Sequence, residues 1–190
     1  AASGELFSGT AQTLSERRGA RRDTIEARIQ VTADLCNASD EQFAVWCNLN
    51  DESAALSKAI IGAVEVKGGD SDEHKEKSLL GFARAEILRL VTKSSIAGWG
   101  MNFQSCHNVV YFPDDSFERY FQAIRRFWRF GQKHTVNVWL VLSESESAVL
   151  ENLKRKEREA SEMYSALVSH MAEITKENLK AAATRTKLDY

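Results

Sequence analysis

Phe43-Ala-Val-Trp-Cys-Asn-Leu-Asn-Asp-Glu-Ser-Ala-Ala-Leu-Ser-Lys-Ala-Ile-Ile-Gly-Ala-Val-Glu-Val66 decides the fold class. Phe43–Cys47 is a short apolar run of strand type. Asn50-Asp-Glu-Ser supplies several helix-capping residues ahead of a helix over Ala54–Ile61. Ala63–Val66 then reads as a second strand, ended by Gly68-Gly69. The alternation continues. Ser71-Asp-Glu opens a helix through Phe82 or Ala83, and Glu86–Thr92 is a third strand. Ser94–Gln104 is a glycine-containing loop, and Asn108–Phe112 is a fourth strand closed by Pro113, the one proline. Ser116 caps a helix expected to reach Phe130 and to stop at Gly131, and Thr135–Leu142 is a fifth strand. Strands alternating with helices imply an α/β fold, a mostly parallel sheet covered on both faces. Ligands in such folds meet the loops at the carboxyl ends of the strands.

Outside this region the chain reads as helical. The first forty residues carry a polar stretch with Arg17, Arg18, Arg21 and Arg22, then Ile25, Ile29, Ala33 and Leu35 at helical spacing. Glu16, Asp23 and Glu26 balance those arginines, so a solvated helix is the expectation there. Ser145 to about Thr184 is rich in Ala, Glu, Lys and Leu without Gly or Pro, as in long helices. The resulting division is 1–40 as a helical extension, 41–143 as the α/β domain and 144–190 as a helical tail.

Composition bounds the function. The net charge of −2 gives no global attraction for nucleic acid, so any such contact rests on local groups. No apolar run approaches the roughly 20 residues that span a bilayer, and no membrane partner is expected. Cys36, Cys47 and Cys106 are odd in number and far apart, which suits a reducing cytoplasm rather than a disulfide framework. Without a Cys-x-x-Cys pair, and with His74, His107, His134 and His170 scattered, no metal site is expected.

Two constellations carry chemistry. Gln122-Ala-Ile-Arg-Arg-Phe-Trp-Arg-Phe-Gly-Gln132 places Arg126 and Arg129 three residues apart, on one face of a helix, with Gln122 near the same face. Planar, permanently charged guanidinium groups suit phosphate. A solvated charged face is the plain alternative. Ser94-Ser-Ile-Ala-Gly-Trp-Gly-Met-Asn-Phe-Gln104 directly follows a strand. Gly98 and Gly100 permit close backbone approach to a ligand. Ser94 and Ser95 can donate to phosphate oxygens, Asn102 can bond a ribose hydroxyl, and Lys93 can meet a nucleic-acid backbone. The chain has no Gly-x-x-x-x-Gly-Lys-Ser/Thr loop to hold a nucleotide first. A dinucleotide fold is disfavoured because the first strand–helix turn reads Asn48-Leu-Asn-Asp-Glu-Ser, without Gly-x-Gly-x-x-Gly.

With these motifs in order, residues 43–142 resemble the C-terminal RecA-like lobe of superfamily 2 helicases and translocases, nearest the Swi/Snf-type branch and phage helicases of that kind. Phe43–Cys47 matches the strand of motif IV, Ser94–Gln104 looks like motif V, and Gln122–Gln132 is similar to motif VI. Trp128 stands where histidine is common, and Pro113 where an acidic residue often ends the strand. The resemblance implies a three-layer RecA-like domain and ATP with Mg²⁺ held mainly by a separate N-terminal lobe. Arg126 and Arg129 would be arginine fingers, with Gln122 sensing the phosphate. Gly98, Gly100 and Asn102 would lie near the nucleotide, and Lys93, Ser94 and Ser95 on the backbone of DNA, the choice between DNA and RNA being left open. It also implies a cytoplasmic protein of a bacterium or phage-infected cell, inactive without its partner lobe. A binding module that kept the fold and lost catalysis is the competing expectation.

Overall fold

A computed structural model of the protein describes residues 24–96, 101–114, 116–143 and 146–185. Five strands alternate with helices in chain order: α1 (Ile25–Asn37), β1 (Phe43–Cys47), α2 (Asn50–Ala59), β2 (Ala63–Val66), α3 (Asp72–Ala83), β3 (Arg89–Lys93), β4 (Asn108–Tyr111), α4 (Phe117–Ile124), β5 (Asn137–Leu140) and α5 (Ser147–Arg185). The strands form one sheet in the order β2-β3-β1-β4-β5, and every pairing is parallel.

Strand periodicity divides the core into two layers. Ala44, Trp46, Leu90, Val109 and Tyr111 face α3 and α4, and pack with Leu79, Phe82, Ala123 and Phe127. Phe43, Val45, Cys47, Val91 and Val110 face the other way, against Ile29, Ala33 and Cys36 of α1 and Leu56 of α2. Right-handed crossovers require this arrangement. α2 carries the chain from β1 toward the β2 edge, whereas α3 and α4 carry it the opposite way, so they fall on opposite faces. α1 therefore belongs to the same core as the sheet.

Local chemistry sets the element ends. Ser71 Oγ accepts the His74 N–H at the start of α3, and Ser116 Oγ accepts the Arg119 N–H at the start of α4. α2 starts at Asn50, ahead of the expected Ala54, because the Glu52 carboxylate accepts the backbone N–H groups of Asn48 (3.0 Å) and Leu49 (2.9 Å). β3 starts later than expected, at Arg89. After α3 the chain passes through Ala85 at φ 60° and the Glu86 and Ile87 N–H groups close onto the Gly81 carbonyl. β5 is limited to the four residues that pair with β4.

Two arginines hold the fold together. Arg28 forms a buried ion pair with Glu52 at 2.7 Å and lies over the Phe112 ring. Arg89 donates to the carbonyls of Cys36, Ser39, Glu41 and Leu88, tying the end of α1 to the start of β3.

The chain divides into two compact units, 1–151 and 152–190. The described part of the second is the continuation of α5, on which Met163, Tyr164, Leu167, Val168 and Met171 are exposed. Among the described residues no helix is long and apolar enough to cross a membrane. The arginine cluster 17–22 lies outside the described residues.

Candidate functional site

Arg126 lies over Trp46 near the end of β1 and bonds the loop after β3, though not from the helix predicted for it. α4 ends at Ile124, not Phe130, so Arg126 and Arg129 occupy a succeeding turn and do not share a helical face. The cause is tertiary. The Arg126 carbonyl accepts the Phe103 N–H at 2.9 Å, which removes it from any helical ladder, and the Phe127 N–H tightens onto Ile124 at 3.0 Å. Phe127 then reaches the core beside Trp46 and Phe103. Gly131 completes the turn at φ +95°.

Arg126 is half-buried. Its guanidinium lies over the Trp46 ring, 5.3 Å from the centroid, and its Nη2 donates to the Ser94 carbonyl at 3.3 Å. Its Nη1 is buried without a hydrogen-bond partner. No ion pair to Arg126 occurs among the described residues. Burial, and then the nearby Arg129 charge, lower its pKa from the usual arginine value. Arg129 is exposed and its Nε donates to the Arg125 carbonyl. Gln122 lies exposed on α4.

The loop after β3 is stitched to this turn. Gln132 Nε2 donates to the carbonyls of Gln104, Cys106 and Phe127, each at 3.2 Å, and Gln104 Nε2 donates to the Phe130 carbonyl. The sequence showed both glutamines without indicating this role. Asn102 is occupied locally: its Nδ2 donates to Gln104 Oε1 and its Oδ1 accepts the Gln104 N–H. Gly98 and Gly100 lie outside the described residues.

Lys93 and Ser95 belong to a separate place. They line a cleft of ≈ 750 Å³ with the start of α2 and the turn after β2, including Lys67, Gly68 and Gly69. Lys93 Nζ donates to Asn50 Oδ1 at 2.6 Å. Lys67 pairs with Glu65 at 2.9 Å. Burial works to raise the Glu65 pKa; hydrogen bonds from Ser53 and Lys67 outweigh it, and the net pKa lies below the usual glutamate value. Ser94 adjoins Lys93 and Ser95 in sequence, and its carbonyl accepts from Arg126 Nη2. A Gly-Gly pair directly after a strand was the signal for the Gly68–Gly69 wall of the cleft.

One parallel sheet with helices on both faces makes a RecA-like α/β fold. The comparison with known families agrees. The helicase conserved C-terminal domain matches residues 25–131, so the chain belongs to that family, the C-terminal domain of ATP-dependent helicases and translocases. Among solved structures, it is similar to the crystal structure of the C-terminal part of the Fun30 ATPase domain, with TM-score 0.56 and 17% identity. The alignment covers 68% of this chain and 44% of that one. No curated protein matches the sequence.

Proposed function

We propose that this chain is the second lobe of an ATP-driven DNA helicase or translocase of Swi/Snf type, such as phage helicases of that kind, completing a nucleotide site whose cradle lies on another lobe. The observation that carries this reading is Arg126, a charged group with an unpaired buried Nη1 and no carboxylate neutralising it among the described residues. Buried donors are normally satisfied, and this cationic donor lacks an acceptor. A phosphate oxygen is the fitting one. Mg²⁺ would be held with the nucleotide, mainly by the other lobe. When bound, ATP supplies the phosphoryl group whose transfer to water drives lobe motion.

Arg126 stabilises charge developing on that group, and Arg129, solvent-facing, reaches the same phosphate from the adjoining turn. Gln122 on α4 senses it. Gly98 and Gly100 let the loop approach the sugar, and Asn102 contributes after exchanging its bond to Gln104. Lys93, Ser94 and Ser95 hold the phosphate backbone of a tracked strand at the cleft, which gives binding without base reading. The test is hydrolysis by the two-lobed protein carrying Arg126→Ala or Arg129→Ala. ATP binding should persist while turnover falls, by about a thousandfold or more for a true finger. Unchanged turnover in both variants refutes the assignment.

A further inference from the structure

Arg126 rests on an aromatic ring that is buried among its neighbours, its own indole N–H without a hydrogen-bond partner among the described residues. Trp46 is 1% exposed, sits at the penultimate position of central strand β1, and pairs in register with Thr92 of β3 and Tyr111 of β4. Phe127 meets it edge-on at 6.1 Å, and Phe103 meets it at 6.4 Å. The two phenylalanines come from the two segments that also hold the arginine backbone, since the Phe103 N–H bonds the Arg126 carbonyl. A long arginine side chain gives up rotamer freedom when fixed. Among the described residues one hydrogen bond, to the Ser94 carbonyl, fixes this guanidinium. The indole face, at cation–π distance, provides the second restraint.

We propose that Trp46 is a positioning residue for Arg126: its ring fixes the plane and place of the guanidinium, so that an arriving phosphate meets a preset donor. This rests on the finger reading above and deepens it. Trp46 does not touch the nucleotide; it acts through Arg126. A carboxylate in its place would hold the arginine as firmly but would neutralise the charge the phosphate needs. A ring face holds it without competing as a hydrogen-bond acceptor.

Two measurements test this. The first uses the 190-residue chain. The Arg126 side-chain N–H resonance, assigned with Arg126→Lys, should show the ring-current displacement of a group above an indole. It should shift partway back in Trp46→Phe and fully in Trp46→Leu, with Phe82→Leu as a core-loss control in the same cluster. The second is steady-state ATPase of the two-lobed protein. Trp46→Leu should lower kcat by about 3- to 30-fold with KM unchanged, and Trp46→Phe should restore part of it. A wild-type Arg126 resonance and wild-type kcat in Trp46→Phe and Trp46→Leu, beside a strong Arg126→Ala defect, overturn the role of Trp46 alone. Full turnover in Arg126→Ala overturns the finger reading beneath it. A fall in kcat equal to that of Phe82→Leu reduces Trp46 to core packing and also overturns the proposal.

Discussion

Glu52→Gln should be among the most damaging single substitutions in the α/β body, although Glu52 looks like an ordinary helix-start acid in the sequence. Its side chain is fully buried. One oxygen accepts Arg28 Nη1 at 2.7 Å, and the other accepts the backbone N–H groups of Asn48 and Leu49. An amide there presents its NH₂ either to the guanidinium or to the two N–H groups. One side of the network then loses its acceptor, and Arg28, 5% exposed, loses the Glu52 charge. Breaking one member of a buried pair costs about 3–5 kcal/mol, a large share of the roughly 5–15 kcal/mol that holds a domain together. With a urea m-value of about 1–3 kcal/mol/M, the unfolding midpoint should fall by about 2 M. The double change Arg28→Met with Glu52→Met should recover only part of the loss, because Asn48 and Leu49 still lack their acceptor. A midpoint lowered by less than about 0.5 M at unchanged m-value refutes the reasoning.

Gly131→Ala should lower the thermal midpoint, since its Cβ would meet Gln104 Nε2 at 3.2 Å on a backbone at φ +95°; the strain is worth about 1–3 kcal/mol, and an unchanged midpoint would show that the turn relaxes freely. Burial raises the thiol pKa of Cys36 to about 11 and of Cys47 and Cys106 to about 12. All three should therefore stay protonated at pH 8 and resist an aromatic disulfide reagent until urea unfolds the chain; rapid native-state labelling would contradict their placement. The 190-residue chain alone should hydrolyse no ATP above background in a phosphate-release assay, and robust turnover would mean that it holds a complete nucleotide site.

The sheet was readable because its strands are short apolar runs between strong punctuation. Phe43–Cys47 and Ala63–Val66 fall where Asn, Asp and Gly bound them, and Ser71 marks the start of α3 as its capping chemistry predicts. The end of α4 was not readable. Arg125 to Arg129 are acceptable helix formers, and no Gly or Pro intervenes before Gly131. What stops the helix is the long-range bond from Phe103 and the burial of Phe127, neither of which leaves a local trace. The residue types at the site were therefore legible while their shared helical face was not. The buried roles of Arg28 and Arg89 were equally hidden, because their partners lie 24 and about 50 residues away in the chain.

Single-turnover hydrolysis of ATP by the two-lobed protein, comparing wild type with Arg126→Ala after nucleotide binding has been confirmed for both, tests the central claim most directly. Retained binding with a hydrolysis rate lower by about three orders of magnitude is the expected result. Equal binding and equal rates would show that the Arg126 guanidinium never reaches the phosphate.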